Sequence, residues 1–88
     1  MGLTFRVPER QVDSGYVSTC DRVCYSIRGE ANQYGLYAYP AGKPELASRV
    51  APASVGMDVM NRIHDGYWSL KDAMRIFNEP VPAWAEEL

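Results

Sequence analysis

One histidine and two cysteines are all that 88 residues offer of the side chains that most often serve as cysteine or histidine nucleophiles and zinc ligands. A structural zinc takes four donors, so His64, Cys20 and Cys24 would still need a carboxylate to complete a set, and no metal or cofactor is expected. The seven glycines stand apart, with no phosphate-cradling loop among them. The eleven acids are scattered, and no pair stands out for acid–base work. No apolar run reaches the roughly 18 residues that a membrane-spanning helix needs. The start, MGLTFRVPER, has neither the basic nor the apolar region of a signal peptide. Gly2 is followed by Arg6 where a myristoylation signal has Ser or Thr. The expectation is a soluble, cytoplasmic protein with no membrane partner.

Positive charge is scarce as well. Nine basic residues face eleven acidic ones, for a formal charge of −2. Residues 1–43 hold five bases (Arg6, Arg10, Arg22, Arg28, Lys43) and four acids, whereas residues 44–88 hold four bases and seven acids. A duplex-binding protein needs a clustered basic footprint to neutralise phosphates. The charges here alternate almost singly, as on a solvated surface, so nucleic acid is disfavoured as a partner.

What remains is an ordinary globular composition, 47% hydrophobic and 23% charged, of a length that suits one domain spanning residues 1–88. So short a chain hides only about 60–65% of the surface its unfolded form exposes. Its stability margin is small, and self-association as a homodimer is one way to widen it.

Hydrophobic periodicity divides the chain in two. LTFRV alternates, with Leu3, Phe5 and Val7 on one side, and Pro8 stops it. A second extended stretch runs through YVSTCDRVCYSIR, with Val23, Tyr25 and Ile27 on one face and Cys24, Ser26 and Arg28 on the other. YGLYAY follows, closed by Pro40, and the intervening GEANQ reads as a hairpin turn. The segment PAGKPELASRVAPAS reads as a connector with one helical turn begun by Pro44. From Ser54 the spacing becomes helical: Val55, Val59 and Ile63 recur every four residues, and Gly66 follows as a C-terminal stop. A second helix over 69–78 is announced by Ser69 with Asp72 three residues on, by the stripe Leu70, Ala73, Met74 and Phe77, and by Asn78 before Pro80. The tail, with two prolines and Trp84, is expected to lie extended over the core. The fold class is α+β: a small antiparallel sheet of three or more strands in the N-terminal half, packed on one face by two helices of the C-terminal half.

Register decides the role of the tyrosines. A hairpin loop of two or four residues sets Ile27 opposite Leu36 and Tyr25 opposite Ala38, leaving Tyr37 and Tyr39 beside Cys24, Ser26 and Arg28 on the other face. A three-residue loop reverses this and sends Tyr37 and Tyr39 to join Val23, Tyr25 and Ile27. The even register pairs aliphatics across the strands and is preferred on that ground.

The C-x3-C pair is the sharpest chemical candidate. On one extended strand, Cys20 and Cys24 would lie about 13 Å apart, beyond the roughly 7 Å limit for a disulfide. A nucleophilic cysteine would need a base beside it, and His64, oriented by Asp58 or Asp65, is the available one. No local signature joins them, so two reduced cysteines packing as small hydrophobes is the plainer reading. The segment MDVMNRIHDGYWSLKDAMRIFN also has the outline of a helix-turn-helix, but its second helix exposes Lys71, Asp72, Arg75 and Asn78, and the preceding helix adds Asp58 and Asp65 toward the backbone, so it reads as an ordinary helix pair.

By exclusion the chain reads as a small non-enzymatic protein-binding module for a partner whose identity is not encoded in any motif. Its unusual feature is aromatic loading: six tyrosines against two phenylalanines, four of them in and around the hairpin. Tyrosine is enriched at interfaces because it contributes area at low entropic cost. Tyr34, Tyr37 and Tyr39 with Arg22 and Arg28 are the expected partner-binding residues. In size, acidity and want of catalytic parts, the chain resembles in general character the small anti-CRISPR-like inhibitors that phages and mobile elements use against host systems. A helix-turn-helix DNA binder and a small cysteine-dependent enzyme are the alternatives.

Overall fold

The computed structural model describes residues 9–12 and 15–20 as backbone and residues 22–88 in full. The expected strand over Leu3–Val7 lies outside the described residues. Strands β1 (Glu9–Val12), β2 (Gly15–Cys20), β3 (Val23–Glu30), β4 (Gln33–Pro40) and β5 (Ser48–Ala51) form one antiparallel meander in chain order. Helices α1 (Gly56–His64), α2 (Leu70–Ile76) and α3 (Ala83–Glu86) follow. The α+β architecture is therefore as the periodicity implies. No helix among the described residues is long and apolar enough to cross a membrane.

Three local expectations are corrected. The single extended stretch through residues 16–28 is two strands, because the chain reverses between Cys20 and Val23, which pair across the turn. The connector between Pro40 and Ser54 keeps its helical turn as a 3₁₀ segment at Pro44–Leu46, but it also holds β5, which brings the sheet to five strands. The tail is not extended: it winds into α3 over Ala83–Glu86, where the Trp84 indole N–H donates to the Leu46 carbonyl at 3.1 Å.

The core lies on one face of the sheet. Val23 and Tyr25 of β3, Leu36 and Ala38 of β4, and Val50 and Ala51 of β5 are buried against Val59 and Met60 of α1, Leu70, Ala73 and Met74 of α2, and Ala85 of α3. Between Leu36 and Tyr37 the partner register steps from Ala51 to Arg49, so Val50 is the extra residue of a bulge. That bulge lets Val50 and Ala51, neighbours in sequence, both be fully buried.

Both longer helices end by the same device. Gly66 (φ 83°) follows α1, with the Gly66 N–H on the Ile63 carbonyl at 3.1 Å and the Tyr67 N–H on the Arg62 carbonyl at 2.9 Å. After α2, Asn78 (φ 58°) takes the left-handed position, its N–H on Arg75 O at 3.1 Å and that of Glu79 on Met74 O at 2.8 Å. These paired bonds satisfy carbonyls that the helix ends would otherwise leave open. At the start of α2, the Ser69 hydroxyl accepts from the Asp72 N–H at 3.1 Å, as the Ser-x-x-Asp spacing leads one to expect.

Candidate protein-binding face

The β3–β4 hairpin has the even register. Glu30 pairs with Gln33, so only Ala31 and Asn32 form the turn; Ile27 then faces Leu36 and Tyr25 faces Ala38. Alternation does the rest: Tyr37 stands opposite Ser26 and Tyr39 opposite Cys24, on the face that the helices leave open. Arg28 belongs to the same set by register. Its guanidinium carbon lies 4.8 Å from the centroid of the Tyr37 ring, while one terminal nitrogen donates to Gln33 Oε1 at 2.7 Å and Nε reaches Ser26 Oγ at 3.4 Å. Ser26 is buried although it lies away from the helical layer. Arg28 and Tyr37 beside it form part of a closed polar cluster on a half-buried surface.

A second cation stands beside this cluster. The bulge sets Arg49 of β5 opposite Tyr37. Its Nε donates to the Tyr34 carbonyl at 2.9 Å and its Nη1 pairs with Glu79 Oε2 at 2.6 Å. Arg49 crosses β4 at Gly35, where a Cβ would stand 2.8 Å from Arg49 Nε and 2.7 Å from the Ala51 carbonyl oxygen. Gly35 adopts φ 143°, so the close approach and the conformation both require glycine. Sequence reasoning missed Arg49 because its strand is four residues long and lies within a segment punctuated by Pro40, Pro44 and Pro52.

The other expected binding residues do not join them. Tyr34 pairs with Gly29, which places it on the opposite face from Tyr37; its ring comes within 3.9 Å of where a Gly29 Cβ would stand, and it is 61% exposed. Arg22 sits in the β2–β3 turn at φ 66° and borders a groove on the helix side of the sheet, with Val23 and Tyr25. Of the five residues, the structure therefore unites Arg28, Tyr37 and Tyr39.

The hairpin between β2 and β3 also revises the geometry of the cysteines. Cys20 pairs with Val23 and Cys24 with Thr19, so the two lie on adjacent strands one step out of register, not four residues along one strand. Cys24 is a half-buried free thiol on the open face. His64 ends α1 on the helical side, so the sheet lies between them. The His64 Nε2 is screened from solvent and has no hydrogen-bond partner among the described residues. No cluster of metal-ligating side chains occurs among the described residues. In the helix pair, Lys71 Nζ lies 3.7 Å from Glu86, Arg75 lies 3.7 Å from Asp72, and Arg62 stacks 5.1 Å from the Trp68 ring.

Set against protein-family models, curated proteins and solved structures, the chain matches none. The arrangement must be read from its own chemistry. An arginine over a tyrosine ring gains about 0.5–1 kcal/mol at an exposed site and more when desolvated. Such a pair presents area, a hydrogen-bonding rim and a positive charge together. That suits recognition of an anionic or mixed surface.

Proposed function

We propose that this protein is a small non-enzymatic protein-binding module that docks an acidic partner surface through the open face of its sheet. The observation that carries the reading is the stacking of Arg28 on Tyr37 at 4.8 Å, with Arg49 opposite Tyr37 in register. This places the Arg28 cation on an aromatic centre, on a face that no described helix covers, in a chain of formal charge −2, while the charge of Arg49 beside it is matched by Glu79. Charge complementarity then favours an acidic partner, and tyrosine and arginine are both among the residue types enriched at the anchors of interfaces. A module that acts by binding alone changes its partner by covering it. The activity proposed is accordingly that of an inhibitor, of the kind phages and mobile elements direct at host systems.

The test begins with affinity capture from a bacterial lysate and is decided by titration with the purified captured protein. Tyr37→Ala/Tyr39→Ala is expected to weaken binding by about 2 kcal/mol or more, and raising the salt is expected to slow association. Equal affinity of wild type and double variant, with both folded, would remove the open face as the docking site.

A further inference from the structure

The β2–β3 turn contains a residue that turn chemistry alone does not call for. A two-residue hairpin connection favours Asn-Gly or Asp-Gly, because both central positions take φ above zero in the commonest tight turn. Here the sequence is Asp21-Arg22, and Arg22 holds φ 66°, a conformation in which a side chain is disfavoured and glycine is not. An arginine kept where glycine would serve better invites a functional reason.

The surroundings of Arg22 suggest one. It lies at the rim of a groove of about 770 Å³ between the helix-side face of the sheet, the α1–α2 connection and the C-terminal turn. Its apolar lining includes the buried Val23, Tyr25, Leu70 and Ala85 and the half-buried Ile63 and Trp68. The size falls within the roughly 300–1,000 Å³ of small-molecule sites, and an apolar lining with few placed polar groups is their usual chemistry. The charges at the rim are unequal in availability. Lys71 lies 3.7 Å from Glu86, whereas Arg22 is exposed and makes no ion pair among the described residues. Glu87 also borders the groove and would repel a second negative charge.

We infer that this groove is a binding site for a small planar aromatic monocarboxylate, its ring against Trp68 and Ile63 and its carboxylate on the Arg22 guanidinium. The planar fork of an arginine matches a carboxylate with two parallel hydrogen bonds. Trp68 borders the groove and is packed by Arg62 at 5.1 Å, which holds the indole in place as an aromatic contact for a bound ring. This site lies across the sheet from the Arg28–Tyr37 face and does not depend on it.

The test titrates the full chain with 2-naphthoate and with neutral 2-naphthalenemethanol, read by calorimetry and tryptophan fluorescence. Saturable naphthoate binding is expected, weakened about tenfold or more in Arg22→Gly, with the neutral analogue unaffected by that change. Because glycine suits the turn, Arg22→Gly should melt no lower than wild type; Trp68→Leu, checked for folding, should weaken both probes. No saturable binding at millimolar naphthoate, or equal naphthoate affinity in wild type and Arg22→Gly, would overturn the assignment. So would naphthoate-insensitive dimerisation that Arg22→Gly abolishes, which would make the groove a contact between copies.

Discussion

The Arg28 guanidinium lies 4.8 Å from the centroid of the Tyr37 ring, and the same side chain hydrogen-bonds Gln33 at 2.7 Å across the β3–β4 pair. Stack and hydrogen bond hold one long side chain flat on the sheet. An arginine already ordered loses less freedom when a partner arrives, which raises affinity without adding a contact. In a double-mutant cycle on folding, Arg28→Ala and Tyr37→Leu should show a coupling of about 0.5–1 kcal/mol. Urea titration of the four proteins measures it, and additive losses would show that the stack contributes nothing.

Leu36 is fully buried at the centre of the core, and Tyr37, the next residue, points to the other face. Leu36→Ala should destabilise the fold by about 2–5 kcal/mol. Tyr37→Ala should cost distinctly less, because Tyr37 is only half-buried and lies on the face away from the described helices. Paired thermal melts decide this. A Tyr37→Ala protein that unfolds as readily as Leu36→Ala would mean that the ring supports the core and is not a docking anchor.

Gly35 admits Arg49 across β4. Gly35→Ala would set a Cβ 2.7 Å from the Ala51 carbonyl oxygen and 2.8 Å from Arg49 Nε, at φ 143°. Backbone cannot move aside as a side-chain tip can, so a loss of about 2 kcal/mol or more is expected. Amide exchange should show the opening concentrated in the β4–β5 pairing, with β2–β3 protected as before.

The stops and starts of α2 should respond separately. Ser69→Ala removes the acceptor of the Asp72 N–H and should cost about 1 kcal/mol. Asn78→Ala puts an ordinary side chain at φ 58° and should cost about 1–2 kcal/mol, whereas Asn78→Gly should be neutral or better. Denaturant midpoints of the three variants test the order.

Much of the architecture is written in short-range pattern. The alternation of Val23, Tyr25 and Ile27 against Leu36 and Ala38 sets the buried face, and pairing those aliphatics selects the even register that puts Tyr37 and Tyr39 on the other side. Ser69 with Asp72, Gly66, and Asn78 before Pro80 mark helix ends because each satisfies a backbone group within its own turn. Signals of this kind act over a few residues and survive reading one residue at a time.

Pairings between distant segments set what such reading misses. The reversal between Cys20 and Val23 escapes notice because Arg22, at φ 66°, does not resemble a turn residue; strand pairing holds it there. Strand β5 is too short to show a period and exists through its ladder to β4, with a bulge that buries Val50 and Ala51 together. That ladder carries Arg49 to the side of Tyr37, and Glu79, 30 residues further on, fixes it there. Local sequence therefore establishes which residues share a face. Which of them meet depends on contacts between segments far apart in the chain, whose energy comes from burial and pairing that no single segment can supply alone.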